Sequence, residues 1–226
     1  MTTSAVGALK SWVTSNARLK PVLKKINNAR CGAWDLIHNV DTCGETAIID
    51  MDFESKNKTA GLEYHSHHPA IIRAGLRALP IRHEDYTFID FGCGKGRVLL
   101  LASEFPFRKI IGLEFAPQFV EIARRNLQTY RSSHQRCSKI EVIAGDATEY
   151  ELVPERQVLY FYSPFSPSVV DQMVQRIEDS FQRSPRNLLV LFSGVVWMRE
   201  RAFGSRPQYE RLMRQPHIDI YQHRGS

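Results

Sequence analysis

Over residues 1–60 apolar and polar positions follow no sustained period, and TAIIDM at Thr46–Met51 is the one stretch there that reads as a strand. From about Tyr64 the pattern becomes regular. Pro69 opens a helix at a position where its missing N–H costs nothing; Ile71, Ile72, Gly75, Leu76 and Leu79 line one face, and Pro80 closes it. Short apolar runs then alternate with amphipathic ones. Strands are expected at Thr87–Phe91, Lys109–Glu114, Ile140–Ala144, Val158–Tyr162 and Asn187–Val196. Helices are expected at Arg97–Glu104, Ala116–Leu127 and Pro167–Phe181, the last with Val169, Val170, Met173, Val174, Ile177 and Phe181 at three-and-four spacing. Alternating β and α elements imply a parallel, doubly wound sheet. The tail reads either as two strands, Gln208–Arg214 and His217–His223, or as a short helix and one strand.

Composition adds bounds. The chain has 226 residues, 43% hydrophobic and 24% charged, enough to bury a core in one domain with an extension. No apolar run approaches the ~18 residues of a membrane span. The first 34 residues carry no acid, yet Lys10, Arg18, Lys20, Lys24, Lys25 and Arg30 alternate with apolar residues at roughly helical spacing. A basic helix packed on the domain, contact with an acidic partner and an organellar transit peptide all fit that pattern. Cys31, Cys43, Cys93 and Cys137 show no C-x-x-C spacing and are read as free thiols in the cytoplasm. The net charge of +6 is spread along the chain without an aromatic-basic motif, so nucleic acid is not indicated as a partner.

The candidate chemistry begins at FIDFGCGKG, Phe88–Gly96. Gly92, Gly94 and Gly96 follow a strand and precede a helix, a turn where the backbone bends sharply and a ligand comes close. Lys95 and Arg97 flank the last glycine and are read as exposed. Glu114 ends the second strand, 22 residues after Gly92, where a carboxylate can accept two ribose hydroxyls or simply favour a helix start. Asp146 in AGDAT leaves the third strand and can accept an adenine amino group or serve as an ordinary turn residue. No G-x-x-x-x-G-K-[ST] loop occurs, which argues against a nucleoside triphosphate.

Phe88–Asn126 resembles the class I, Rossmann-like S-adenosylmethionine-dependent methyltransferases, and the similarity extends over roughly Tyr64 to the C-terminus. It implies a seven-stranded, mostly parallel Rossmann-like sheet with an antiparallel C-terminal strand, which favours the two-strand reading of the tail. Residues 1–63 would then be an N-terminal helical extension or cap, and residues 64–226 the catalytic domain. S-adenosyl-L-methionine is the implied cofactor and S-adenosyl-L-homocysteine the product. The implied cofactor-binding residues are Tyr64, Asp90, Gly92, Cys93, Gly94, Gly96, Glu114, Phe115, Asp146 and Ala147, with Asp90 ordering the loop near the methionine amino group. A nicotinamide dehydrogenase is disfavoured by the same constellation.

Tyr64 before the Pro69 helix, and the loop Tyr160–Phe165, are similar to features of the non-SET lysine methyltransferases and their bacterial relatives. Such a loop faces the transferred methyl. Ser163 and Phe165 are the candidate acceptor residues: a hydroxyl can hold a nucleophile in line, and an aromatic wall can exclude water. Ser166 and Pro167 also suit a plain helix start. The expected reaction is methylation of a nitrogen nucleophile, on a protein lysine or a small-molecule amine. A small-molecule O-methyltransferase and a catalytically silent cofactor-binding subunit are the alternatives. His65, His67 and His68 lack a second ligand cluster and are read as a polar helix entry, not a metal site.

Overall fold

The computed structural model describes residues 20–46, 64–65, 68–162 and 165–225. Helix α1 (Lys20–His38) ends where Asn39 takes the left-handed conformation, φ +54°, and the Val40 N–H turns back to the Asp35 carbonyl. Two short strands, β1 (Glu45–Thr46) and β2 (Tyr64–His65), pair antiparallel; residues 47–51 of the expected Thr46–Met51 strand lie outside the described residues. Helix α2 (Pro69–Arg77) is capped by His68, whose Nδ1 accepts the Ala70 N–H at 3.2 Å. That fixes one member of the histidine cluster as a helix cap.

The central sheet holds β3 (Thr87–Phe91), β4 (Lys109–Glu114), β5 (Ile140–Ala144), β6 (Gln157–Tyr162), β7 (Leu188–Ser193), β8 (Tyr209–Arg214) and β9 (Ile218–His223). Their spatial order is β5-β4-β3-β6-β7-β9-β8. The first five run parallel; β9 runs against both β7 and β8. The tail is therefore a hairpin, and its last strand is the antiparallel one. Helices α3 (Arg97–Ala102), α4 (Pro117–Thr129) and α5 (Pro167–Arg183) make the crossovers, and a short α6 (Val196–Arg199) continues into one π-turn at Glu200–Gly204.

The two faces of the sheet carry separate cores. Phe88, Tyr160, Leu191 and Ile220 pack under α2 and α3; Ile89, Phe161, Val190 and Tyr221 pack under α5 and the π-turn. This explains why β3 and β7 are buried along their whole length and read as unbroken apolar runs. Among the described residues, no helix is long and apolar enough to cross a membrane.

The cysteine reading needs a correction. Cys31 on α1 and Cys43 beyond it are bonded, with Cα atoms 5.7 Å apart; only Cys93 and Cys137 are free. Their spacing in sequence carries no pairing signal. The turn after α1 brings them together, and the thiol argument for a reducing compartment no longer covers this pair.

Candidate functional site

The strand order reverses at β3, with β4 on one side and β6 on the other. In an open parallel sheet such a switch point opens a crevice at the carboxyl ends of the strands. The sequence-derived candidates gather there. Gly92, Gly94 and Gly96 all have left-handed backbones, at φ +76°, +52° and +86°, which a side chain would strain. The Gly92 and Cys93 N–H groups both donate to the Leu113 carbonyl at 2.9 Å, so the loop is folded back over the end of β4.

Phe165 also arrives at this loop. A Cβ placed on Gly92 would lie 2.8 Å from Phe165 Cζ, so the ring rests directly on the bare backbone. Gly92→Ala must strain φ and displace this ring together. We expect it to destabilise the fold by about 2 kcal/mol and to weaken cofactor binding at least tenfold. Calorimetric titration and thermal melts check both, and adding Phe165→Leu should recover part of the stability only.

Two carboxyls lie beneath the loop. Asp90, at the end of β3, is 2% exposed, and its Oδ2 has no hydrogen-bond partner among the described residues. Burial, then the nearby Glu114 charge, holds its pKa well above the usual carboxylate range. Glu114 accepts the Gly94 N–H at 2.8 Å and the Ala116 N–H at 2.9 Å. It therefore braces the glycine loop and the start of α4 together. Burial pushes its pKa up to about 7 against the opposing pull of these backbone donors.

The remaining candidates are placed less uniformly. The Cys93 side chain turns into the core against Gly112, where a Cβ would meet its Sγ at 2.7 Å, so only its backbone faces the loop. Phe115 packs beside Ala116 and Phe119, and Ala147 borders the α5-side core. Asp146 Oδ1 accepts both the Thr148 N–H at 2.8 Å and its hydroxyl at 2.7 Å, closing a turn at the end of β5. The Tyr64 side chain and Ser163 lie outside the described residues.

Lys95 and Arg97 are corrections. Arg97 is 3% exposed, with Asp35 at 2.8 Å, the Thr42 hydroxyl at 2.7 Å and the Trp34 ring beneath its guanidinium. Lys95 reaches Asp41 at 2.9 Å and the Cys43 carbonyl at 2.8 Å. Both were read as exposed because their partners stand more than fifty positions earlier in the chain. The one sequence signal was that Asp35 is the first acid after 34 acid-free residues.

Comparisons with known proteins agree with this geometry. Residues 88–183 match the family model of a methyltransferase domain. No curated protein matches the chain. Among solved structures, a Pseudomonas syringae protein described as a methyltransferase is 16% identical, with a TM-score of 0.52 over 68% of this chain and 97% of its own. A predicted N6-adenine-specific DNA methylase from Listeria monocytogenes is 16% identical, with a TM-score of 0.50 over 71% of this chain and 52% of its own. An RNA methyltransferase from Salinibacter ruber, in complex with S-adenosyl-L-homocysteine, is 19% identical, with a TM-score of 0.47 over 70% of this chain and 92% of its own. The likenesses to the Pseudomonas syringae and Listeria monocytogenes proteins are of fold. The domain match lies on the glycine loop and the strands around it, so residues 88–183 are similar to a methyltransferase domain, carried here on a Rossmann-like sheet.

Proposed function

We propose that this enzyme methylates a nitrogen nucleophile, on a protein lysine or a small-molecule amine, with the loop 163–165 beside the reacting centre. The observation that carries the reading is the Phe165 ring resting on Gly92, which anchors the acceptor loop against the cofactor loop. The cofactor supplies a methyl group on a sulfonium, whose leaving group needs no proton. A neutral amine asks little more of the protein than alignment of its lone pair and exclusion of water. Tyr162 and Phe165 provide a half-buried and a buried aromatic side chain on either side of Ser163 and Pro164, and Ser163 is the proposed polar contact to the acceptor. At the same edge of the sheet, the Val195–Val196–Trp197 run after β7 exposes 51%, 46% and 58% of these residues, an apolar rim available to the acceptor.

The residues present fit the cofactor. The buried Asp90 Oδ2, without a hydrogen-bond partner among the described residues, suits the methionine ammonium, and the left-handed glycines leave bare backbone beside it. Glu114 accepts the ribose hydroxyls in this reading, Asp146 accepts the adenine amino group, and Phe115 and Ala147 border the ring. Tyr64 completes the methionine end.

The Glu114 role carries a pH signature. Its carboxyl, with a pKa of about 7 before binding, is held ionised by donating hydroxyls, so binding releases a proton. Cofactor affinity should rise roughly tenfold between pH 6 and pH 8 and then level off. Titration calorimetry in buffers of different ionisation enthalpy checks this, and Glu114→Gln should reduce the number of protons released, leaving the share that comes from Asp90.

The acceptor is tested by incubating the protein with methyl-labelled cofactor and parallel panels of lysine peptides, small amines, catechols, carboxylates, RNA and DNA. Label on amines or lysine supports the proposal. Label on oxygen acceptors alone favours the O-methyltransferase, and label on a nucleobase replaces the proposed acceptor class. Tight cofactor binding without turnover on any panel favours the silent subunit.

A further inference from the structure

The end of α1 and the turn after it are bound to the cofactor loop by a nearly closed polar network. Asp35 accepts four hydrogen bonds: from the Thr42 N–H at 2.6 Å, the Thr42 hydroxyl at 2.6 Å, the Cys43 N–H at 2.7 Å and Arg97 at 2.8 Å. Asn126 of α4 closes the other side. Its amide donates to the Asp41 carbonyl at 2.7 Å and to the Lys95 carbonyl at 2.9 Å, while its oxygen accepts the Asp41 N–H at 2.8 Å. Thr42 is 0% exposed and Asn126 1%. Polar groups this deeply buried are stable only while every partner is in place, so the network is all-or-none.

The network touches the loop on both sides of Gly96, through the side chains of Lys95 and Arg97 and through the Lys95 carbonyl. Gly94, two residues earlier, is braced from inside by Glu114. The loop is thus gripped between the Glu114 carboxylate and a segment from the chain's first fifty residues.

We propose that residues 35–43 are a clasp that sets the cofactor loop in its binding conformation, with Asp35, Thr42 and Asn126 as positioning residues that act through Lys95 and Arg97. The clasp removes the ordering cost that a free glycine-rich loop would take from binding. Coupling of this kind is reciprocal, so cofactor in the loop also holds the clasp shut. The inference rests on the cofactor assignment but is silent on the acceptor, so the two have separate tests.

The experiment uses the full chain and S-adenosyl-L-homocysteine as the probe, read by amide hydrogen exchange and by calorimetry. Saturating probe should slow exchange of the Thr42 and Cys43 amides at least tenfold and change those of the β8–β9 ladder by less than twofold. Thr42→Val, which keeps shape and loses the hydroxyl, should weaken probe binding at least tenfold, and Thr42→Ser should restore it. Asp35→Asn should weaken it further. Asp219→Ala, in the distant hairpin, serves as the control for lost stability alone and should leave affinity within twofold. Binding to the wild type without protection at Thr42 and Cys43 overturns the clasp, even if every variant misfolds. So does wild-type affinity in folded Thr42→Val. A wild type that does not bind the probe overturns the cofactor assignment and the clasp with it.

Discussion

Replacing Asp90 with Asn should lower S-adenosylmethionine affinity on the order of 100-fold while making the protein more stable above neutral pH. The two effects have one cause. Asp90 Oδ2 is buried without a hydrogen-bond partner among the described residues, and the Glu114 carboxyl nearby adds to the cost of ionising it. In the proposed cofactor complex that carboxylate oxygen would meet an ammonium, and a charge-assisted hydrogen bond of this kind contributes about 1.5–3 kcal/mol. Asn supplies no charge and can present an N–H to a cation. Without cofactor the same carboxylate is a burden. Its folded pKa is raised, so the native state holds the proton more tightly than the unfolded chain, and stability is lost as pH rises through the folded value. Asn has no proton to lose. The stability difference should therefore grow as pH rises above the unfolded carboxylate pKa of about 3.9 and level off once pH has passed the folded one. Denaturant titrations across pH, beside calorimetry with the cofactor, test both halves. Equal stability of the two proteins at all pH values would refute the assigned burial cost.

Asp219→Ala should be the most damaging single change to the fold among those considered. Arg199 and Asp219 are 1% and 0% exposed and form an ion pair at 2.8 Å. Arg199 also donates to the Gln215 and Pro216 carbonyls, both at 3.0 Å, and Tyr221 donates to Asp219 at 3.0 Å. These bonds tie α6 to the turn between β8 and β9. Removing the carboxylate leaves a guanidinium buried with carbonyls alone, at a cost of about 3–5 kcal/mol. For a chain of this length that lowers Tm by roughly 10 °C. Replacing both partners, Arg199→Met with Asp219→Ala, should recover much of the loss, since the penalty lies in the unpaired charge. A double variant no more stable than Asp219→Ala would show that the carbonyl contacts carry the hairpin.

The helices and strands of the domain were legible because each has a period of its own. Val169 to Phe181 share a face whatever else the chain does, and β3 and β7 had to be buried on both faces to be so apolar. The glycine loop was legible for a related reason. Gly92, Gly94 and Gly96 take left-handed backbones that residues with side chains resist, so the requirement is written at the positions themselves. Glu114 was placed correctly at its strand end, but its bonds to Gly94 and Ala116 were not foreseen. Asp146 takes the turn role that its place after Gly145 allowed, accepting from Thr148.

The misread residues share one feature, a partner distant in sequence. Arg97 and Lys95 look like ordinary surface cations until Asp35, Thr42 and Asp41 fold over them. Cys31 and Cys43 look like separate thiols until α1 ends at Asn39 and the chain doubles back. By itself the sequence determined most helices and strands from Pro69 onward, the faces they bury and the conformation of the glycine loop, because backbone preference and hydrophobic period act over a few residues. It did not single out the regular helix Lys20–His38, and it missed the turn of helix that replaces the end of the expected Asn187–Val196 strand. The tertiary structure alone decided which charges are buried, which cysteines meet and what grips the loop. Those outcomes depend on how separate elements dock, and the energy of a buried polar contact exists only once both partners have left water.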